Sequence, residues 1–241
     1  MEILKTESIV ILTGAGISKE SGLDTFRDNG GLWEGTPVEQ VATPEAFQQN
    51  PTRVHSFYNA RRAGLLKPEI KPNAAHVALA KLEQEWQGDV LLVTQNIDNL
   101  HERAGSEDII HMHGELLKAR CLDCDLLSEW RGDMATTSVC PKCKTTDRLR
   151  PNVVWFGEMP MQMDAISKAL KSCDLFISIG TSGNVYPAAG FVDIVRKNRR
   201  GRTVELNLVP SQSSNHFFTG RYGSATEIVP HFISSLLQNI E

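Results

Sequence analysis

Four cysteines fall in two pairs, Cys121-x-x-Cys124 and Cys140-x-x-Cys143, with 15 residues between them. Thiolates at this spacing hold tetrahedral zinc, and four of them fill its coordination sphere. The metal they would bind is therefore structural, because no position stays open for a reacting water. Disulfides and unpaired core thiols are the competing arrangements. Five cysteines in 241 residues do not make a disulfide scaffold. Cys173 stands alone and reads as a small buried hydrophobe. A second set of reactive types follows short apolar runs. Gly14-Ala15-Gly16-Ile17-Ser18 is a glycine turn whose backbone N–H groups could approach a phosphate; a tight strand-to-helix turn needs the same residues. Gln95, Asn96 and Asp98 are three polar side chains in a row of four, and such residues also cap ordinary turns. His111 and His113 lie two apart and share a face in extended chain, so spacing does not choose between them. His113 adjoins Gly114, where the chain leaves the sheet, and is the better placed general base.

Something must bring these residues together. Strands are expected at about 9–13, 90–94, 109–112, 174–179 and 203–208, where β-branched runs without polar alternation suit a parallel sheet buried on both faces. Helices lie between them. Asn73 can cap one that runs to about Trp86, and Pro187 is placed to open another ending near Asn198. The fold class is α/β, a doubly wound parallel sheet. Open sheets of this kind bind ligands beyond the carboxyl ends of their strands. The glycine loop, Gln95–Asp98, His113-Gly114, Gly180-Thr181-Ser182-Gly183 and Asn207 each stand at such an end. Their convergence on one crevice carries more weight than any single motif.

Two stretches do not fit the sheet. Residues 30–72 hold no strand candidate, and Thr43-Pro44 and Asn50-Pro51 each pair a cap with proline at the first helical position. Residues 119–151 hold the cysteines and little apolar sequence, so they need a metal to fold. The expected division puts residues 1–29, 73–118 and 152–241 in the sheet domain, and 30–72 with 119–151 in a smaller one. The charges, 25 basic against 29 acidic, are too balanced for a protein that wraps nucleic acid. Within the cysteine segment, too, basic and acidic residues offset one another. The run Lys197-Asn198-Arg199-Arg200-Gly201-Arg202 suits a helix C-terminus. Val229, Phe232, Ile233, Leu236 and Leu237 recur at helical spacing as a packing face. No apolar run reaches membrane-spanning length. The chain start lacks the apolar core of a signal peptide, so a cytoplasmic location is expected. The third glycine of the dehydrogenase fingerprint is replaced by Lys19, which disfavours simple hydride transfer.

Taken in series, the motifs resemble those of the sirtuins, NAD-dependent protein lysine deacylases. The matching stretches begin with Gly14-Ala15-Gly16-Ile17-Ser18, Glu20-Ser21-Gly22 with Phe26-Arg27, and Thr94-Gln95-Asn96-Ile97-Asp98-Asn99-Leu100-His101. They continue with His113-Gly114, the four cysteines, Pro151-Asn152-Val153-Val154-Trp155-Phe156-Gly157-Glu158, Gly180-Thr181-Ser182 and Asn207. The resemblance implies a Rossmann-type NAD-binding domain beside a zinc ribbon with helices. It implies His113 as base with Asn96 and Asp98 in the catalytic pocket. It places NAD on Gly14, Ala15, Gly16, Ser18, Thr25, Phe26, Arg27, Trp33, Gln95, Asn96, Asp98, Gly180, Thr181, Ser182, Asn207 and Ala225. One structural zinc would sit on Cys121, Cys124, Cys140 and Cys143. The acyl-lysine would lie along Val153, Val154, Trp155 and Phe156, adding a strand in the cleft. Lys19 and Asp24 depart from residues more usual in the cofactor loop.

A finer likeness is to the class III members, which remove acidic acyl groups. Tyr58 and Arg61 match its Tyr-x-x-Arg, and Ala42 matches the small residue that widens its acyl pocket. Three apart on a helix, Tyr58 and Arg61 share one face. Arg61 could hold a carboxylate bidentately while Tyr58 donates its hydroxyl. An ordinary amphipathic helix shows the same pair. The implied activity is removal of succinyl or malonyl, and also acetyl, from lysine, releasing nicotinamide and O-acyl-ADP-ribose. The partners are acylated lysines of proteins, with no nucleic acid or membrane, and a monomer is expected. Mono-ADP-ribosyl transfer and a non-catalytic NAD or ADP-ribose sensor use the same cleft; a base at His113 argues against the sensor.

Overall fold

Every residue of Ile9–Thr13 is buried, and this strand forms the middle of the main sheet. The structure is a computed structural model that describes residues 4, 6–24, 32–33, 36–198 and 201–238, with backbone only at 32–33. In chain order the strands are β1 (Ile9–Thr13), β2 (Leu32–Trp33), β3 (Thr36–Pro37), β4 (Val90–Thr94), β5 (Ile109–His111) and β6 (Gly114–Cys121). There follow β7 (Leu127–Glu129), β8 (Leu149–Val153), β9 (Leu175–Ile179), β10 (Arg202–Asn207) and β11 (Thr219–Tyr222). The α-helices are α1 (Pro44–Gln49), α2 (Pro51–Leu65), α3 (Ala74–Glu85), α4 (Leu100–Ala104), α5 (Met163–Ser172), α6 (Phe191–Lys197) and α7 (Ala225–Gln238).

The main sheet runs β11-β10-β9-β1-β4-β5, with all its pairs parallel. The chain winds outward from β1 through β4 and β5, then returns to lay β9 on the other side of β1. This is the strand order of dinucleotide-binding sheets, and the reversal between β1 and β9 is where such sheets open a crevice. Alternation of side chains splits the sheet between two cores. Ile9, Ile11, Ile177 and Val204 face Leu79 and Leu82 of α3 and Phe232 and Ile233 of α7. Val10, Leu12 and Phe176 face Ile166 and Leu170 of α5 and Phe191 and Val195 of α6. Each fully buried aliphatic side chain contributes about 1.5–3 kcal/mol.

The caps fall where the sequence places them. Asn73 Oδ1 accepts from the Ala75 amide at 3.0 Å, Thr43 Oγ1 from Ala46 at 3.0 Å, and Asn50 Oδ1 from Arg53 at 2.9 Å. Three expectations need correction. A sixth strand, β11, extends the sheet; all four of its residues are exposed, so it carries no apolar run to read. Residues 30–72 do contain strand, a two-residue ladder of β2 with β3. Pro187 precedes a 3₁₀ turn, Ala188–Gly190, and α6 starts only at Phe191.

A second sheet, β7-β6-β8, is antiparallel. Ala119, Cys121, Met134, Cys140 and Leu149 form its small core. A separate apolar cluster joins α1 and α2 to β6 and β8, with Phe47, Val54, Tyr58, Leu116, Leu117 and Trp155 at its centre. Asn59 and Arg62 of α2 reach toward the cysteine segment. Asn59 bonds the backbone of Met134 in both directions, and Arg62 donates to the carbonyls of Leu116 and Gly132.

Candidate active site and zinc cluster

The loops after β1 and β9 touch at the switch point. Gly14 N–H donates to Ile179 O and Gly16 N–H to Gly180 O, both at 3.0 Å. A Cβ at Gly16 would lie 2.7 Å from Gly180 Cα, and one at Gly180 would lie 2.5 Å from Ile17 N. The glycines are thus required for the two loops to cross. The amides of Gly14 and Gly16 are themselves spent on β9 and its loop. The Ala15 amide, between them, makes no backbone bond among the described residues.

Behind this loop lies a buried polar network. Ser18 Oγ donates to Asp98 Oδ2 at 3.0 Å and accepts from Asn96 Nδ2 at 3.2 Å, while Asn96 Nδ2 also reaches Gly14 O at 3.2 Å. Asp98 Oδ1 caps α4 through the Leu100 amide at 3.0 Å. Burial raises the Asp98 pKa, opposed by the Leu100 and Ser18 hydrogen bonds. His76 stands 3.5 Å from Ser18 Oγ through Nε2, its Nδ1 accepting from the Asn73 amide. Burial holds its pKa down at about 4, so the ring is neutral at pH 7. Below it, Thr13 Oγ1 contacts Thr94 Oγ1 and His101 Nε2 at 2.8 and 3.0 Å. His76 and His101 were not singled out from the sequence. The usable signal was the Asn73-x-x-His76 spacing, a capping box that aims the ring back at the first loop.

The two candidate histidines part company here. His111 Nδ1 lies 3.2 Å from Asn96 O and its Nε2 lies 2.7 Å from Glu102 Oε1. Burial opposes its charge, yet Glu102 outweighs that and raises its pKa. His113 Nδ1 lies 3.1 Å from Gln95 O, a carbonyl that can only accept, so this nitrogen carries the hydrogen. Nε2 is left with its lone pair and, among the described residues, no bonding partner. Burial lowers the His113 pKa, opposed by the Gln95 carbonyl. A neutral ring with one oriented lone pair is what a base needs.

At the far strand ends, Asn207 Nδ2 donates to Thr181 O at 2.7 Å and Ser182 Oγ accepts from the Asn184 amide at 3.2 Å. Ala225 begins α7, and the Thr226 amide beside it donates to Glu20 Oε2 at 3.0 Å. These ends and the β1 and β4 loops share one edge of the sheet. With close-packed glycines at the switch point and buried polar groups beside them, they fit a dinucleotide. Thr25, Phe26 and Arg27 lie outside the described residues, as does the side chain of Trp33.

The residues expected on the acyl side gather separately. Val154 N–H donates to His113 O at 2.8 Å and Phe156 N–H to Ala42 O at 2.9 Å. Val153, Trp155 and Ala42 are buried, and Phe156 is exposed. Tyr58 is fully buried, and its hydroxyl accepts from Trp155 Nε1 at 2.9 Å. Arg61 lays its guanidinium 3.1 Å from the centre of the Phe57 ring and donates to Phe57 O at 2.8 Å. The bond between Trp155 and Tyr58 joins two of the residues expected at this site, and no local sequence signal announces it.

The four sulfurs lie within 4.8 Å of one another. Cys121 and Cys143 Sγ are 3.6 Å apart, and Cys124 and Cys140 Sγ are 3.7 Å apart. A disulfide would need ~2 Å. A zinc tetrahedron with Zn–S ~2.3 Å has edges of ~3.8 Å, so the cluster fits zinc. Replacing Cys124 with Ser is expected to release the metal and destabilise the chain by several kcal/mol. Elemental analysis checks it: about one zinc per chain in active protein is expected, and less than about half an equivalent would contradict the assignment.

The chain is similar to known proteins over nearly its whole length. A profile of the Sir2 family matches residues 14–187. A protein of Pasteurella multocida (strain Pm70) named NAD-dependent protein deacylase is 56% identical over 233 residues, 97% of this chain and 99% of that one. An Escherichia coli (strain K12) protein of the same name is 55% identical over 240 residues, covering 100% of this chain and 86% of that one. Among solved structures, a Sir2 homologue–NAD complex superposes with a TM-score of 0.85 at 36% identity, covering 96% of this chain and 91% of that one. Sir2 bound to acetylated peptide gives 0.79 at 29% identity, covering 94% and 92%. The family profile over residues 14–187 and relatives that share more than half their residues over nearly the whole length leave one assignment: the chain belongs to the Sir2 family.

Proposed function

We propose that this protein is an NAD-dependent protein lysine deacylase that accepts acidic acyl groups, succinyl and malonyl, as well as acetyl. The observation that carries the reading is His113: a neutral imidazole held by Gln95 O, its Nε2 open, between the polar strand ends and the segment 153–156. Bound NAD would supply the ribose carbon that receives the amide oxygen and the ribose hydroxyl that receives the acyl carbon, with nicotinamide as leaving group and one water consumed as the lysine amine is freed. Asn96, Asp98 and Ser18 supply oriented polar groups for the nicotinamide end in a site shielded from water. His113 Nε2 accepts the proton of a ribose hydroxyl as the acyl group passes to it. The Ala15 amide, Ser182, Asn207 and the loop around them serve the diphosphate and adenosine.

The substrate peptide adds a strand in the cleft along Val153–Phe156, the segment that leaves the edge strand β8. Arg61 supplies the positive charge an acidic acyl group needs on leaving water. Zinc holds the β6–β8 segment in shape and takes no part in the chemistry. No helix among the described residues is long and apolar enough to cross a membrane; the reading is of a monomeric cytoplasmic enzyme acting on proteins. Incubation with NAD and a succinyl-lysine peptide tests it. The acyl group is expected on ADP-ribose, one per peptide released.

A further inference from the structure

The sequence gives no hint that Trp155 and Tyr58, 97 residues apart, meet. Trp155 is 3% exposed and Tyr58 0%, and the indole Nε1–H donates to the phenol oxygen at 2.9 Å. An indole N–H is a donor only, so this bond has one direction. It occupies an acceptor site of the phenol and turns the Tyr58 hydrogen away from Trp155. Tyr58 can then act as a donor, which is the role an acyl carboxylate requires of it.

The indole is itself held on several sides. Arg150 Cζ lies 3.4 Å from its ring centre. Arg150 makes a two-point ion pair with Glu158, Nη1 to Oε1 at 2.6 Å and Nη2 to Oε2 at 2.9 Å. Glu158 Oε2 also accepts the Trp155 backbone amide at 2.8 Å. Phe47 packs 5.3 Å away, tilted by 43°. Arg150 is 7% exposed and Glu158 is partly exposed, and their two-point contact fixes the geometry of the guanidinium against the indole. A tryptophan needed only to fill space would not require its backbone, its ring face and its N–H all to be fixed.

We propose that Trp155, clamped by Arg150 and Glu158, is the positioning residue that orients the Tyr58 hydroxyl and so sets the preference for acidic acyl groups. The inference rests on the acidic-acyl reading above. It gives Glu158 and Arg150, at the end of the substrate segment, a part in selectivity without contact to the acyl group.

The experiment is a double-mutant cycle read as a ratio, kcat/KM for a succinyl-lysine peptide over that for the acetyl-lysine peptide. Trp155→Phe keeps an aromatic ring and removes the N–H. It is expected to lower the ratio about 5- to 30-fold, the loss of one buried hydrogen bond that orients a polar group. Tyr58→Phe is expected to lower it comparably, and adding Trp155→Phe to Tyr58→Phe to lower it no further. A packing role would depress both peptides together and leave the ratio unmoved; that result overturns the proposal, as does an equal further loss in the Tyr58→Phe background. Should Trp155→Phe not fold, Glu158→Gln loosens the clamp and keeps the indole. A ratio lowered about 2- to 5-fold is then expected, and an unchanged one overturns the proposal. Arg61→Met separates the two readings. If it lowers the ratio and Trp155→Phe does not, only the positioning role falls; if neither does, the acidic-acyl reading falls and takes this proposal with it.

Discussion

His113→Ala is expected to lower kcat for deacylation by about 10²–10⁴-fold, the usual contribution of a general base, while zinc content and thermal stability stay near those of the parent. The ring is held by one bond, His113 Nδ1 to Gln95 O, and its other nitrogen has no hydrogen-bond partner among the described residues. Its removal therefore empties a catalytic position without unpicking a network. Nicotinamide exchange, which precedes proton transfer from the ribose, is expected to survive better than net deacylation. His111→Ala supplies the contrast. It breaks the bonds to Asn96 O and Glu102, which act on loop position, and should leave more activity than His113→Ala. The reverse ranking would mean that His111 is the base. The pH profile gives a second reading of the same group. Burial lowers the His113 pKa below its usual 6.5. The neutral form works, so activity should hold at pH 6.5 and fall only as pH drops through the lowered value. An acid limb centred above 7 would contradict the assignment.

The second large effect concerns Arg61. A carboxylate taken out of water needs a paired charge, or its desolvation outweighs what binding gains. Arg61 is preset for this by its bond to Phe57 O and by lying against the Phe57 ring, so little freedom is lost on binding. Arg61→Met is expected to cost about 2–4 kcal/mol on succinyl-lysine, ~30- to 1000-fold in kcat/KM, chiefly through KM. Acetyl-lysine has no carboxylate and should lose much less. Two enzymes on two peptides give the comparison. Equal losses on both would mean that Arg61 serves the helix or the cofactor and not the acyl group.

What was legible follows from the physics of each element. β1 and β9 are buried on both faces, and their sequences are almost wholly apolar or β-branched; β10 is as deeply buried, yet Glu205 interrupts its apolar run. β11 pairs only with β10 and lies in solvent, and Thr219-Gly220-Arg221-Tyr222 has nothing to alternate. The cysteine cluster was plain because metal geometry dictates spacing within each pair. The two caps before proline were plain because capping is local. Long-range contacts were not. Ser18, Asp98 and His76 meet only because the loops after β1 and β4 converge on the first turn of α3. His111 and His113 differ through Glu102, whose place on α4 the two-residue spacing does not encode. The glycine loop follows β1 as the sequence indicates, but which of its amides stay open is not a local property. The crossing with Gly180 turns two of them inward, a contact across more than 160 residues.

The most direct measurement is a product balance by mass spectrometry. Purified protein is incubated with NAD and a succinyl-lysine peptide, and nicotinamide, free-lysine peptide and O-succinyl-ADP-ribose are counted. The account predicts the three in equal amounts, with the acyl group on ADP-ribose. ADP-ribose attached to protein with the peptide still acylated, or NAD left unconsumed, would contradict it.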